Sequence, residues 1–123
     1  MNKNADIFKK AKLGKRLYFN SPEFEELDSV LQHGINILKR FNNDQNTVSE
    51  RHILLEDVFN QRIDSTTEII PPFNVDFANQ VTLGKNIFIN KDVSFIALGG
   101  IKLEDGVLIA PKVNIISINH VET

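Results

Sequence analysis

The 123 residues make one domain's worth of chain, enough to bury a real core. Lys and Arg total 14 against 16 Asp and Glu, and the resulting charge of −2 offers no electrostatic case for a nucleic-acid partner. Cysteine is absent, which excludes disulfide scaffolding, thiolate zinc sites and thiol nucleophiles.

The N-terminus, Met1 to Asp6, lacks the apolar core of a secretion signal, and no run approaches membrane-spanning length. The expectation is a soluble, cytoplasmic protein with no membrane partner. Residues 4–13 read as a short amphipathic helix with Ile7, Phe8 and Ala11 on one side, ended by Gly14. Its lysines at 9, 10 and 12, with Lys15 beyond, read as a solvated face, because aromatic interleaving and net positive charge are both missing. Ser21-Pro22 is a helix start, a hydroxyl cap followed by proline at the first helical position. Phe24, Leu27, Leu31, Ile35 and Leu38 then keep helical spacing up to Phe41. After the polar loop 42–46, Thr47-Val48-Ser49-Glu50 is a capping box, and Leu54, Leu55, Val58 and Phe59 supply a third apolar face. His33 and His52 fall on these helices with no partner carboxylate at a telling spacing, and both read as surface residues.

From Ile69 to Ile118 the period changes. Val75, Val81, Ile87 and Val93 recur every six positions, shadowed two residues on by Phe77, Leu83, Ile89 and Phe95. Gly99-Gly100 inserts two residues, read as a corner insertion rather than a phosphate-cradling loop. The series then resumes at Ile101, Val107 and Val113, with Leu103, Ile109 and Ile115 behind. Each hexad is one flat face of a three-sided solenoid, about three coils of roughly 18 residues. Alternation turns the apolar pair inward and leaves Lys85, Asn86, Lys91, Asp92, Lys102 and Glu104 to solvent. Gly84, Asn86, Asp92, Asp105 and Gly106 mark the bends, where some positive φ values are expected. Pro71 and Pro72 fit a first rung with a free edge. The expected fold is mainly β: a parallel β-helix over 69–123 whose N-terminal end is capped by an α-helical segment over 1–68.

The combination resembles the maltose and galactoside O-acetyltransferases of the hexapeptide-repeat acyltransferase superfamily. The likeness is carried by Gly14-Lys15-Arg16-Leu17-Tyr18, Pro22-Glu23-Phe24 and Arg40-Phe41-Asn42 in the preamble. It continues through Pro71-Pro72-Phe73-Asn74-Val75-Asp76-Phe77, Leu83 to Asn90, Gly99-Gly100-Ile101, Val107 to Val113 and Asn119-His120. That resemblance implies a left-handed coil, a homotrimer with active sites between subunits, acetyl-CoA as donor co-substrate, a sugar hydroxyl as acceptor, and no metal. His120 occupies the family's catalytic position. A hydroxyl is a poor nucleophile at neutral pH, and an imidazole within hydrogen-bond reach is suited to take its proton. Asn90 matches the acceptor-binding asparagine and Asp76 an acidic acceptor contact in the first rung. Asn20 stands, after a one-residue insertion, near an aspartate that touches the sugar in relatives.

Two departures stand out. Relatives carry an acidic residue just before the Gly-Gly insert, where this chain has Ala97-Leu98. The sequence also ends at Thr123, three residues past His120, whereas relatives continue through coils bearing the coenzyme groove. The expectation is therefore a C-terminally truncated member, with coenzyme-binding residues beyond Thr123 and no acetyl transfer by this polypeptide alone. The alternative is a non-catalytic solenoid acting as an interaction or assembly module. A hexapeptide-repeat carbonic anhydrase needs three histidine ligands, and two of the three histidines here sit on the helical segment.

Overall fold

The computed structural model describes residues 3–14 and 22–117. Helix α1 (Lys3–Lys12) is followed by Gly14 at φ 72°, a left-handed position that glycine occupies without strain. Helix α2 (Pro22–Phe41) carries Glu23 and Glu25 in its first turn and Lys39 and Arg40 in its last, both favourable to the helix dipole. Helix α3 (Val48–Phe59) is closed by the expected capping box. The Thr47 hydroxyl accepts from the Glu50 N–H at 3.1 Å, and the Glu50 carboxylate accepts from the Thr47 N–H at 2.9 Å. These bounds agree with the spacing-based reading to within a residue.

Among the described residues eight short strands follow: β1 (Glu68–Ile69), β2 (Phe73–Val75), β3 (Val81–Leu83), β4 (Phe88–Ile89), β5 (Val93–Ile96), β6 (Ile101–Leu103), β7 (Leu108–Ile109) and β8 (Asn114–Ile116). They form three sheets, ordered β1-β4-β7, β2-β5-β8 and β3-β6, and every pairing is parallel. Each sheet takes every third strand, which is the topology of a three-sided parallel β-helix. The protein is thus mainly β with a helical N-terminal part.

The register corrects the first coil. Phe73 pairs with Val93 and Val75 with Phe95, while Val81 pairs with Ile101, so one turn takes 20 residues rather than 18. A 3₁₀ turn at Ala78–Gln80 supplies two extra residues in the first coil, at the corner where Gly99-Gly100 supplies them in the second. The inward pair of the first rung is therefore Phe73 and Val75, not Val75 and Phe77. Phe73 is 0% exposed, with its ring 5.2 Å from Phe95 in an edge-on contact and 6.1 Å from Phe59 of α3. Phe77 is buried too, but outside the coil, against α1.

The corners show why these residues stand there. Asn86, Asp92 and Gly106 are left-handed as expected, joined by Gly100 and by Lys112, which the sequence did not flag. Asp105 keeps negative φ. Gly84 is required by close approach instead, since a Cβ there would lie 2.4 Å from Oδ1 of Asp105. Gly99 is tighter still: an added Cβ would sit 1.7 Å from the carbonyl oxygen of Ser117 in the next coil.

One apolar core runs from Ile37, Phe41, Leu55 and Phe59 through the helical part into Ile69, Ile87, Val93 and Ile109 of the coils. Burying the inward pairs supplies most of the driving force, at about 1.5–3 kcal/mol per large side chain. The first rung's outer edge is covered rather than free. The Asn42 side-chain amide pairs with the Phe73 backbone in both directions, accepting from its N–H at 2.8 Å and donating to its carbonyl at 2.9 Å. Gln61 donates from Nε2 to the Val81 carbonyl at 2.7 Å. These amides stand where a preceding strand would, so the sheet edge offers fewer open groups to another chain.

Candidate functional site

A second, smaller apolar cluster fixes the helices on the coil: Ile7 and Phe8 of α1, Leu27 of α2, Phe77 and Leu98. The Phe8 and Phe77 rings are 5.9 Å apart. Buried Gln80 ties the pieces together by donating to the carbonyls of Phe8 at 3.0 Å and Leu98 at 3.1 Å. Here the departure at Ala97-Leu98 has a physical reason. Leu98 packs under α1 and Ala97 is 0% exposed, so a carboxylate at either position would be buried among aliphatic and aromatic side chains.

Asp76 stands at this same corner, directly after β2. Its Oδ1 accepts from the backbone N–H of Phe77 at 2.7 Å and of Ala97 at 2.8 Å, linking the corner of the first coil to that of the second. Oδ2 makes no hydrogen bond to any described residue, so Asp76 has one structural oxygen and one that faces the surroundings. Two clefts flank it. One, of about 500 Å3, lies between α2, α3 and the 3₁₀ turn and includes His33, Asp57 and Asn79. The other, of about 530 Å3, runs beneath Leu31 and Ile35 of α2 along Asn74, Ser94 and Ile96.

Asn90 follows β4 on a different corner. Its backbone N–H bonds to the Ile109 carbonyl at 3.0 Å, and its Oδ1 accepts from the Lys91 N–H at 2.8 Å, closing the bend before left-handed Asp92. Nδ2 donates to no described residue and is left as the outward-facing donor of a half-buried side chain. Asp76 and Asn90 are thus on two corners of the coil, and Asn90 lines neither cleft that Asp76 lines. His120 and Asn20 lie outside the described residues.

The two remaining histidines have carboxylate neighbours that spacing had not suggested. His52 Nε2 is 3.6 Å from Glu56 one turn along α3, and His33 Nε2 is 3.8 Å from Asp57 across the α2–α3 interface. Sequence signals could have found the first, at i and i+4, but not the second. The roles of Gln80, Asn42 and Gln61 left no local signature, because their partners are distant in the chain. Among the described residues no cluster of three metal-ligating side chains occurs, and no helix is long and apolar enough to cross a membrane.

No known family model matches the sequence, and no curated protein matches it significantly. Solved structures do. A hexapeptide-repeat acetyltransferase of Vibrio cholerae O1 biovar eltor, complexed with acetyl-CoA, superposes with a TM-score of 0.74 at 23% identity, covering 93% of this chain and 57% of its own. A galactoside acetyltransferase in complex with CoA gives 0.76 at 21%, covering 89% and 54%. A maltose O-acetyltransferase from Clostridium difficile 630 gives 0.77 at 24%, covering 88% and 56%. The chain spans a little over half the length of these structures. In helices and coil alike, its fold is that of the hexapeptide-repeat acetyltransferases, the galactoside and maltose O-acetyltransferases among them.

Proposed function

We propose that this chain serves acetyl-CoA-dependent O-acetylation of a sugar hydroxyl, with His120 as general base. The observation that carries the reading is the shared fold: the superposition covers both the helical part and the coil, at a TM-score of 0.77 with the maltose enzyme. In this reading the coil is left-handed with about three turns, divided into a helical segment 1–68 and a solenoid 69–123. The active protein is a cytoplasmic homotrimer, in which a neighbour's groove meets the corner bearing Asn90. The Asn90 Nδ2, free of partners among the described residues, holds an acceptor hydroxyl, and the outward oxygen of Asp76 accepts from another. Asn20 contributes from the segment between the first two helices.

The chemistry is direct transfer. The His120 imidazole takes the hydroxyl proton as the oxygen attacks the thioester carbonyl, so that a C–O bond forms. The C–S bond then breaks, and the departing CoA sulfur recovers the proton from the imidazolium. A donor to the intermediate's oxyanion completes the site. No metal takes part.

The test incubates the protein with labelled acetyl-CoA and a panel of maltose, galactosides and other sugars. Label on a sugar that disappears in His120→Ala supports the reading and corrects the expectation that this polypeptide alone transfers nothing, whereas no transfer to any acceptor upholds that expectation and defeats the reading for this polypeptide. A second reading, a non-catalytic assembly module, is favoured by the apolar side chains left outward on the strands: Leu108 is 75% exposed and Ile116 61%. Sedimentation and co-purification test it, and a monodisperse monomer without a bound partner rules it out.

A further inference from the structure

One strand of the first rung keeps an open edge. β1 pairs only with β4, where the Glu68 N–H donates to the Ile87 carbonyl and the Ile70 N–H to the Ile89 carbonyl, both at 2.9 Å. Peptide groups alternate in direction along a parallel strand, so the N–H and C=O of Ile69, between these two, face away from β4. The first strands of the other two sheets have outward groups taken. The Asn42 amide exchanges two hydrogen bonds with Phe73, and Gln61 donates to the Val81 carbonyl. Ile69 has no such partner among the described residues, although it is only 3% exposed. A nearly buried peptide group with both its bonds unmade is half of a strand pairing.

Beside that edge, α3 and the segment 65–69 enclose a cleft of about 550 Å3, with Val48, Ile53 and Leu55 on the helix wall. Val48 is 74% exposed and Ile53 65%, so α3 carries apolar side chains outside its packed face. Charge narrows the occupant. On the helix wall His52 has Glu56 beside it at 3.6 Å, and Arg51 donates to the Asn46 carbonyl at 3.1 Å. Glu68 is exposed on the outer face of β1, and its carboxylate has neither an ion pair nor a hydrogen bond among the described residues. A strand laid along β1 would exchange both hydrogen bonds with Ile69. Its side chains would alternate between the apolar wall and the position next to Glu68. An apolar residue suits the first place, and a lysine or arginine the second. We infer that this groove captures an extended peptide segment of another protein, alternating apolar and basic residues, by adding it to β1 as a further strand. The capture is independent of acetyl transfer and uses none of its residues.

The experiment titrates the isotope-labelled chain with the capped hexapeptide Lys-Val-Lys-Val-Lys-Val. The controls are its fully N-methylated analogue, which keeps every side chain but donates no backbone hydrogen bond, and the Glu-Val counterpart. The first peptide should shift the Ile69 amide resonance saturably and slow its hydrogen exchange. The N-methylated analogue should bind at least tenfold more weakly, the equivalent of one lost hydrogen bond. The Glu-Val peptide should also bind more weakly. Affinity for the Lys-Val peptide should fall about tenfold in Ile53→Ser and severalfold in Glu68→Gln. Both positions are exposed, so the variants keep the fold. No saturable shift at Ile69, equal binding of the N-methylated or the Glu-Val peptide, or unchanged affinity in both variants would overturn the assignment. So would an Ile69 shift that tracks protein concentration without peptide, which would give the edge to a second copy of the chain.

Discussion

Asp76 gives the sharpest test of how the corner works. Replacing it with alanine removes the acceptor of two backbone N–H groups, those of Phe77 and Ala97. Ala97 is fully buried and Phe77 nearly so, hence both donors are left without partners at about 1–3 kcal/mol each. Asp76 itself is half-buried beside open clefts, where water can reach one of the two, so the lower part of that range applies. The expected loss is about 2–4 kcal/mol for Asp76→Ala. Asp76→Asn keeps a carbonyl-type Oδ1 in place and gives up only the charge assistance, so it should lose about 1 kcal/mol. Urea unfolding followed by far-ultraviolet circular dichroism measures both, with the slope of the transition checking that the unfolded states are comparable. A large gap between alanine and asparagine supports the corner lock. Two variants as stable as the parent would refute it.

Three further outcomes follow from other positions. In α2, a Cβ added at Gly34 would meet its nearest atoms at 3.8 Å, ordinary contact, so Gly34→Ala should stabilise by about 0.5–1 kcal/mol and raise the melting temperature by roughly 2–4 °C. Gly99→Ala should do the reverse, losing about 1–3 kcal/mol or more in the same urea assay, because the new methyl falls on the Ser117 carbonyl. Acid stability should depend on two turns. The backbone N–H and then the hydroxyl of Thr47 hold the Glu50 carboxyl below its usual 4.5, and the Thr66 hydroxyl and N–H hold Asp64 below 3.8. Depressed carboxyl groups stabilise above their unfolded values, so this stability is present above pH 4.5 and is lost as pH falls through the native values. The melting temperature of a Thr47→Ala, Thr66→Ala double variant should therefore fall less steeply below that pH than the parent's.

What the sequence disclosed follows from how local each signal is. The capping box Thr47 to Glu50 is four adjacent residues, and its geometry was legible from them alone. The hexads from Val81 to Phe95, and again from Ile101 to Ile115, were legible because inward-pointing pairs repeat inside short strands. The phase of the first coil was not. Val75 and Phe77 sit six residues before Val81 and Leu83 and are both buried, so nothing in the pattern betrays that the 3₁₀ turn adds two residues between them. Only the register of β2 on β5 separates Phe73, inside the coil, from Phe77, under α1. The candidate site was legible only as motif likeness, for a similar reason. Motif likeness pointed to Asp76 and Asn90, but the backbone donors that occupy one oxygen of each belong to the folded corners. The Asp76 anchor at Ala97 and the Gln80 bonds to Phe8 and Leu98 join residues that only the completed coil brings together.

The arrangement of every corner residue depends on a turn of 20 residues, and the absence of cysteine makes that register open to a direct measurement. Asn74 and Ser94 are paired on β2 and β5 and share the outer face, so a chain carrying Asn74→Cys with Ser94→Cys should close a disulfide under mild oxidation. The control, Asn74→Cys with Asp92→Cys, places the second thiol where an 18-residue turn would put it and should remain reduced. Ready closure of the control pair, with the first pair left open, would contradict the coil and with it the placement of Asp76 and Asn90.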